Sequence, residues 1–418
     1  MNVFMLGWEF PPFISGGLGT ACYGLTKALG QLGVEVTFVL PKANPGYYSE
    51  HLKVLGVKSC SEQLKHVKFR TIGSTLRPYI TSGTYDNPFS KSGPETGGHS
   101  NPGRALPGQF ENYGQDIYAE VYRYAGKAAE IARCEEFDII HAHDWMTYPG
   151  AIAVAKSMGK PLIVQVHSTE FDRSGENVNQ KIYDIEREGM HAAAKVIAVS
   201  NYTKNIITRH YGVAAEKVEV VYNGIEHTGN APAQPMVGKN DKVVLFLGRI
   251  TMQKGPEYFL AAAKKVLEVT KDAKFVMAGD GDMLYRMIEF AAGLGIGHKV
   301  LFTRFLRGSD VDKIYQMAQL YVMPSVSEPF GIAPLEALQH NVPVLISKTS
   351  GIAEILRHAL KVDFWDINEM ANKIAAVLRY GPLRDALCQN GRYETYNLRW
   401  EESAAKVNRI YRQTLMSA

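Results

Sequence analysis

The 418-residue sequence predicts an α/β protein built from two Rossmann-like, doubly wound parallel-sheet domains. Three observations predict it. Short apolar runs alternate with amphipathic stretches, the rhythm of βαβ units. That rhythm occurs twice, on either side of a Gly/Pro/Asn-rich break. The length suits two domains of roughly 200 residues each better than one core.

The first series opens with Asn2–Leu6, a helical stretch at 19–31, and VEVTFVL at 34–40. After a long interruption it resumes with FDIIHAH (137–143), PLIVQVH (161–167), KVIAVS (195–200) and VEVVYNG (218–224). Runs that are apolar on both faces need cover on both sides. The segment HTGNAPAQPMVGKN has no periodicity and reads as a linker. The second series is KVVLFLG (242–248), KFVMAGD (274–280), KVLFT (299–303), LYVMPS (320–325) and VPVLIS (342–347). Residues 383–415 read as helices with no strand after them. The expected division is an N-terminal domain over 1–226, a linker over 227–241 and a C-terminal domain over 242–398. The stretch from Ile80 to Gly114 is rich in Gly, Pro, Ser and Asn. Long aperiodic loops are either surface insertions or functional lids, and both readings stand.

With 46% hydrophobic and 21% charged residues the chain is expected to be globular and ordered. A net charge of +4 without a dense Lys/Arg run argues against nucleic acid as a partner. Cys22, Cys60, Cys134 and Cys388 are scattered, with no C-x-x-C pair, and read as buried, reduced thiols of a cytoplasmic protein. The N-terminus lacks the basic start of a signal peptide, and no run approaches the ~18–20 apolar residues of a membrane span.

Ligands of open α/β sheets bind beyond the carboxyl ends of the strands, and the chemistry-bearing residues cluster there. After the first strand comes GWEFPPFISGGLGT, where Gly16, Gly17 and Gly19 permit close backbone approach and a helix start offers N–H groups to an anion. The dinucleotide fingerprint fails, because Cys22 stands at the third glycine and the second strand ends in Pro41-Lys42. HAHDW places His143 and Asp144 at a strand mouth, and His167 ends the next strand. These histidines suit either capping or recognition and proton handling at a sugar hydroxyl. His141, His143 and Asp144 imitate a metal cluster, but no third ligand with an open position is evident, and no metal is expected. In LGRITMQKGPE, Arg249 and Lys254 suit a diphosphate: one forks onto two oxygens, the other adds a point charge. GDGD at 279–282 reads as a turn.

SEPFGIAPLE, residues 327–336, carries Glu328 before a Pro-Phe-Gly turn and Glu336 in a following helix. Two acids acting on one glycosidic bond stand about 5–9.5 Å apart across a sugar, which one local segment builds poorly. An extended ligand with a hydroxylated group at each end fits better, with phosphates between. A nucleotide sugar has that layout.

GGLG, a histidine at a strand end, R-x4-K after the linker and E-x7-E together resemble the retaining GT-B glycosyltransferases. The likeness is to glycogen/starch synthase-like members and their sucrose-synthase-type relatives, and it covers nearly the whole chain. It implies two domains facing a cleft, metal independence, and a C-terminal helix at 399–418 crossing back to the first domain near Tyr396–Trp400. It implies Gly16 and Gly17 by the donor diphosphate, His167 on the donor sugar and Asp144 near the acceptor cleft. Arg249 and Lys254 would stabilise the leaving diphosphate. Glu328 would hold the hexose, Gly331 and Ile332 would give backbone contacts, and Glu336 would hold the ribose. The expected activity is transfer of a hexose, glucose first, from UDP-glucose or ADP-glucose to an oligo- or polysaccharide such as an α-1,4-glucan, with no cofactor. Ile14-Ser15 stand where bacterial synthases carry a lysine, and Phe330 stands where they carry a cysteine; these departures weaken the likeness to a standard ADP-glucose-dependent synthase and leave the expected fold and transfer reaction intact. A nucleotide-sugar 2-epimerase and a non-catalytic glucan- or nucleotide-binding protein are the alternatives.

Overall fold

A computed structural model describes residues 1–10, 16–42, 66–73, 117–226 and 242–417. The expected linker, the loop at 80–114, Ile14, Ser15 and Cys60 lie outside the described residues.

The first sheet has seven parallel strands in the order β3-β2-β1-β4-β5-β6-β7. They are β1 (Asn2–Leu6), β2 (Glu35–Lys42), β3 (Val67–Gly73), β4 (Ile139–His143), β5 (Leu162–Val166), β6 (Lys195–Ala198) and β7 (Val218–Val220). The second has six, in the order β10-β9-β8-β11-β12-β13: β8 (Lys242–Leu247), β9 (Ala273–Ala278), β10 (Val300–Arg304), β11 (Leu320–Met323), β12 (Val344–Ser347) and β13 (Leu360–Val362). The doubly wound, parallel α/β expectation is met in both.

Alternation along the strands feeds separate cores on the two faces of each sheet. On β1, Phe4 and Leu6 enter one apolar cluster while Val3 and Met5 enter the other. On β8, Val244 and Phe246 face one way and Val243 and Leu245 the other. Helices cover both faces of the central strands, which is why those strands read as continuous apolar runs.

Six helices position the site or close the fold: α1 (Gly17–Gln31), α2 (Glu170–Ser174), α3 (Asn201–His210), α4 (Pro256–Val269), α5 (Ala333–Gln339) and α6 (Trp400–Ser417). Helix α6 packs on the first sheet, not the second. Its Trp400, Ala404, Val407, Ile410 and Tyr411 share a cluster with Leu25 of α1 and Val3 of β1. Trp400 fits because residue 24 is glycine; a Cβ there would lie 2.2 Å from the indole. The chain returns at Ile225, whose N–H donates to the Leu398 carbonyl at 2.9 Å.

Two strands escaped the sequence reading. β3 is an edge strand with Phe69 exposed, and β13 has only three residues. Cys134 also differs from expectation. It is exposed beyond the end of a helix, and Cys388 is only partly buried, so of the described thiols Cys22 alone is fully covered.

Candidate active site

Each sheet reverses its strand order once, between β1 and β4 and between β8 and β11. Those reversals leave a crevice beyond the carboxyl ends of the strands. The loops there carry the residues at issue.

In the second domain the loop after β8 holds Arg249 and Lys254, and the loop after β11 holds Glu328. The Lys254 Nζ meets Glu328 Oε2 at 2.5 Å, and the Ser325 hydroxyl donates to the same oxygen at 3.2 Å. Gln253, which the sequence did not single out, binds the two loops together. Its side-chain oxygen accepts from Arg249 Nη2 at 3.2 Å, and its carbonyl accepts from the Val326 N–H at 3.0 Å. Gly331 has φ +105°, and a Cβ on it would crowd Met323 and Ile352 at 3.2 Å, so the turn after Phe330 requires glycine. Ile332 caps α5 through its backbone, with no side-chain cap, and Pro334 sits in the first turn.

Glu336 sits apart from the Lys254–Glu328 pair. It accepts from the Tyr315 hydroxyl at 2.9 Å. Burial raises its carboxyl above the usual range, and the Tyr315 bond opposes that shift. Tyr315 likewise went unseen in the sequence.

In the first domain α1 begins at Gly17 after an extended Gly16, with no side-chain cap. Gly17 is exposed, and a Cβ on it would meet nothing within 4 Å. Gly19 departs from the anion-binding expectation. Its N–H donates to Glu9 Oε2 at 3.1 Å, and Glu9 is fully buried. A carboxylate of the chain itself thus occupies that part of the helix N-terminus, and Gly17 is the exposed residue of its first turn.

Asp144 holds φ +58°, unusual for a residue with a side chain. Its Oδ1 accepts from the backbone N–H of His167 at 2.7 Å and of Ser168 at 3.4 Å. It is buried, and that burial lifts its carboxyl to about 7. Asp144 therefore anchors the segment that carries His167.

The histidines form a stack that runs from the buried His141 and His143 to the partly buried His167. The Tyr411 hydroxyl on α6 meets His141 Nδ1 at 2.6 Å, the His141 and His143 rings lie 4.3 Å apart, and His143 Nδ1 meets His167 Nε2 at 2.9 Å. Burial pushes His141 and His167 down to about 3 and His143 well below its usual value. The unfolded chain protonates these rings near pH 6.5. It binds more protons than the folded chain between about pH 3 and 6.5, so this contribution to stability is full above pH 6.5 and lost as pH falls through that window. Ring nitrogen NMR shifts of His141 and His167 are expected to show neutral imidazole at about pH 5. Protonated signals at that pH would contradict the burial argument.

The two sets of residues are tied across the domains. The Ser327 hydroxyl donates to Asp172 Oδ1 on α2 at 2.5 Å and pairs with the Tyr202 hydroxyl at 2.9 Å. The Ser200 hydroxyl donates to the Pro329 carbonyl at 2.6 Å. Glu354 accepts from the first N–H groups of α3, including that of Asn201 at 3.0 Å. Asp172 follows His167 by five residues and Ser327 precedes Glu328. Asp172 also closes a capping box with Thr169, a T-x-x-D signal that was readable in STEFD. A double-mutant cycle of Asp172→Ala and Ser327→Ala is expected to give a coupling of about 1–2 kcal/mol in stability. Additive losses would remove this link.

Tyr118 donates to Asn179 Oδ1 at 3.0 Å, with Lys181 over its ring. The Asp280 turn has a structural reason: Gly279 and Gly281 pass against the backbone of Gly248 and Ile250. Among the described residues no helix is long and apolar enough to cross a membrane.

Comparison with known proteins fits this geometry. The family Glycosyl transferases group 1 matches residues 230–394, and Glycosyltransferase Family 4 matches residues 89–228. An uncharacterized glycosyltransferase of Methanocaldococcus jannaschii is 30% identical over 434 aligned positions, covering 99% of this chain and 98% of that protein. A glycogen synthase of Mycobacterium tuberculosis is 26% identical, covering 85% of this chain and 80% of the enzyme. The sucrose-phosphate synthase of Thermosynechococcus elongatus superposes with a TM-score of 0.74 at 19% identity, over all of both chains. Two Rossmann-like parallel sheets facing a crevice are the GT-B fold. The chain belongs to the group 1 glycosyltransferases and is similar to a glycogen synthase.

Proposed function

We propose that the protein moves a hexose, glucose in the first instance, from a nucleotide diphosphate donor to a carbohydrate acceptor, retaining the anomeric configuration and needing no metal. The observation that carries this reading is the Lys254–Glu328 pair beside Arg249 at the β8/β11 reversal. A diphosphate leaving group carries the charge that develops in the reaction, and Arg249 and Lys254 are fixed cations placed to receive it. Glu328, held by Lys254 and Ser325, presents its remaining oxygen capacity to sugar hydroxyls. Glu336 is exchanged from Tyr315 to the ribose hydroxyls. His167, neutral and anchored by Asp144, bonds the donor sugar from the opposite domain.

The bond between the sugar anomeric carbon and the diphosphate oxygen breaks, and the acceptor hydroxyl attacks from the same face. Its proton passes to the departing phosphate oxygen. This balances without a protein nucleophile. Links such as Asp172–Ser327 hold the domains together around the site, and a closed crevice protects the cationic sugar from water.

An α-1,4-glucan acceptor is supported by the glycogen synthase relative. The test is incubation with labelled UDP-glucose or ADP-glucose and malto-oligosaccharides, followed by NMR of the product. Chain-extended oligosaccharide with an α linkage is expected. Nucleotide release with a free epimerised sugar, or binding without turnover, would overturn the transfer reading.

A further inference from the structure

His167 belongs to a side-chain cluster whose other two members, Cys22 and His143, the transfer chemistry does not use. Cys22 on α1, His143 at the end of β4 and His167 each offer one donor atom, and the three atoms lie within 4.8 Å of one another. Cys22 and His143 are fully buried, whereas His167 is partly open. The Nε2 of His143 is buried with no hydrogen-bond partner. Among the described residues the hydrogen bonding of the His143 ring goes to His167 alone, while its faces lie against His141 and Phe38.

The surroundings suit a cation. Burial first, then the charges of Glu9 and Asp144, raise the Cys22 thiol well above its ordinary value. Burial itself favours neither a thiolate nor a bare ion, but the nearby Glu9 and Asp144 carboxyl groups favour a divalent ion that brings compensating charge to the sulfur. One thiolate and two neutral imidazoles are the donor set of a tetrahedral zinc site with one position left over. Such a site places its S and N donors about 3.5 Å apart, so the cluster closes by a modest rotation of the rings.

We propose that Cys22, His143 and His167 form an inhibitory site for a transition-metal ion of the Zn2+ class. The ion enters past His167, bonds the Cys22 sulfur and one nitrogen of each ring, and releases the thiol proton to solvent. No electron moves. With the ion bound, His167 is turned from the donor pocket and transfer stops. The inhibitory half rests on the donor-contact reading of His167; the metal site itself does not.

The test adds Co2+ to the metal-free full chain and follows its absorption. One equivalent is expected to bind with a thiolate-to-cobalt charge-transfer band and the strong visible bands of a four-coordinate ion, and Zn2+ is expected to displace it. Cys22→Ser should abolish the charge-transfer band and weaken Zn2+ by about tenfold or more. Should that variant fail to fold, His167→Ala serves as the second, with the same loss of affinity expected. A wild-type spectrum without the band, or a band that survives in Cys22→Ser, overturns the site. In parallel, Zn2+ is expected to inhibit glucosyl transfer by the wild type but not by Cys22→Ser, which keeps its turnover in metal-free buffer. Cobalt binding with undiminished transfer would overturn the inhibitory half alone. Normal cobalt binding by a chain that transfers no sugar would overturn the functional reading instead.

Discussion

Lys254→Ala is expected to lower kcat at saturating donor by about 10²–10³-fold, with kcat/KM falling by a similar factor. The lysine lies 2.5 Å from Glu328 with its side chain mostly covered, so its charge is not diluted by solvent as a surface lysine's is. Its value rises as the donor bond breaks and negative charge gathers on the diphosphate. An interaction that strengthens only in the transition state lowers both kinetic constants together. Lys254→Arg keeps the charge but not the compact head, and should recover only part of the rate. Steady-state kinetics with the donor identified by the product assay measure this. Turnover of Lys254→Ala within about twofold of wild type would remove the lysine from the charge-stabilising role.

Gly279→Ala is expected to cost about 3 kcal/mol or more of stability in the second domain. Residue 279 has φ +141°, and a Cβ would lie 1.8 Å from the Gly248 carbonyl oxygen. Neither the strained backbone nor the clash relaxes without moving the end of β8, from which Arg249 projects. The melting point should fall by roughly 6–12 °C. Gly126→Ala is the control. Its Cβ would meet nothing within 4 Å on a helix surface, so a small gain of about 0.5–1 kcal/mol is expected there. Calorimetry that finds both variants equally stable would show that the β8 end tolerates displacement.

Most of the fold was legible because doubly covered parallel strands bury both faces. Runs such as IIHAH and KVVLFL then announce themselves by composition alone. β3 hides because an edge strand with Phe69 half in solvent alternates like a surface loop. β13 is too short to show any period. The site was legible where chemistry clusters locally: Lys254 beside a glycine, Glu328 and Glu336 around one turn. The residues that connect these pieces were not. Ser327 reaches Asp172 across 155 positions, Tyr315 reaches Glu336 across 21, and Tyr411 reaches His141 across 270. Each of these contacts depends on strand order or domain docking, which a local pattern does not encode. Glu9 is the instructive case within one segment. Ten residues before Gly19, it turns back onto the helix start and takes an N–H group that the glycine pattern alone assigned to a ligand.

The most direct measurement is a crystal structure of the chain soaked with UDP-glucose or ADP-glucose, whichever raises the melting point more. The diphosphate is expected against Arg249 and Lys254, the hexose on Glu328 with His167 facing it, and the ribose hydroxyls on Glu336 in place of Tyr315. A diphosphate bound outside the crevice, or a ribose that leaves Glu336 on its tyrosine, would contradict the proposed division of the donor between the two glutamates.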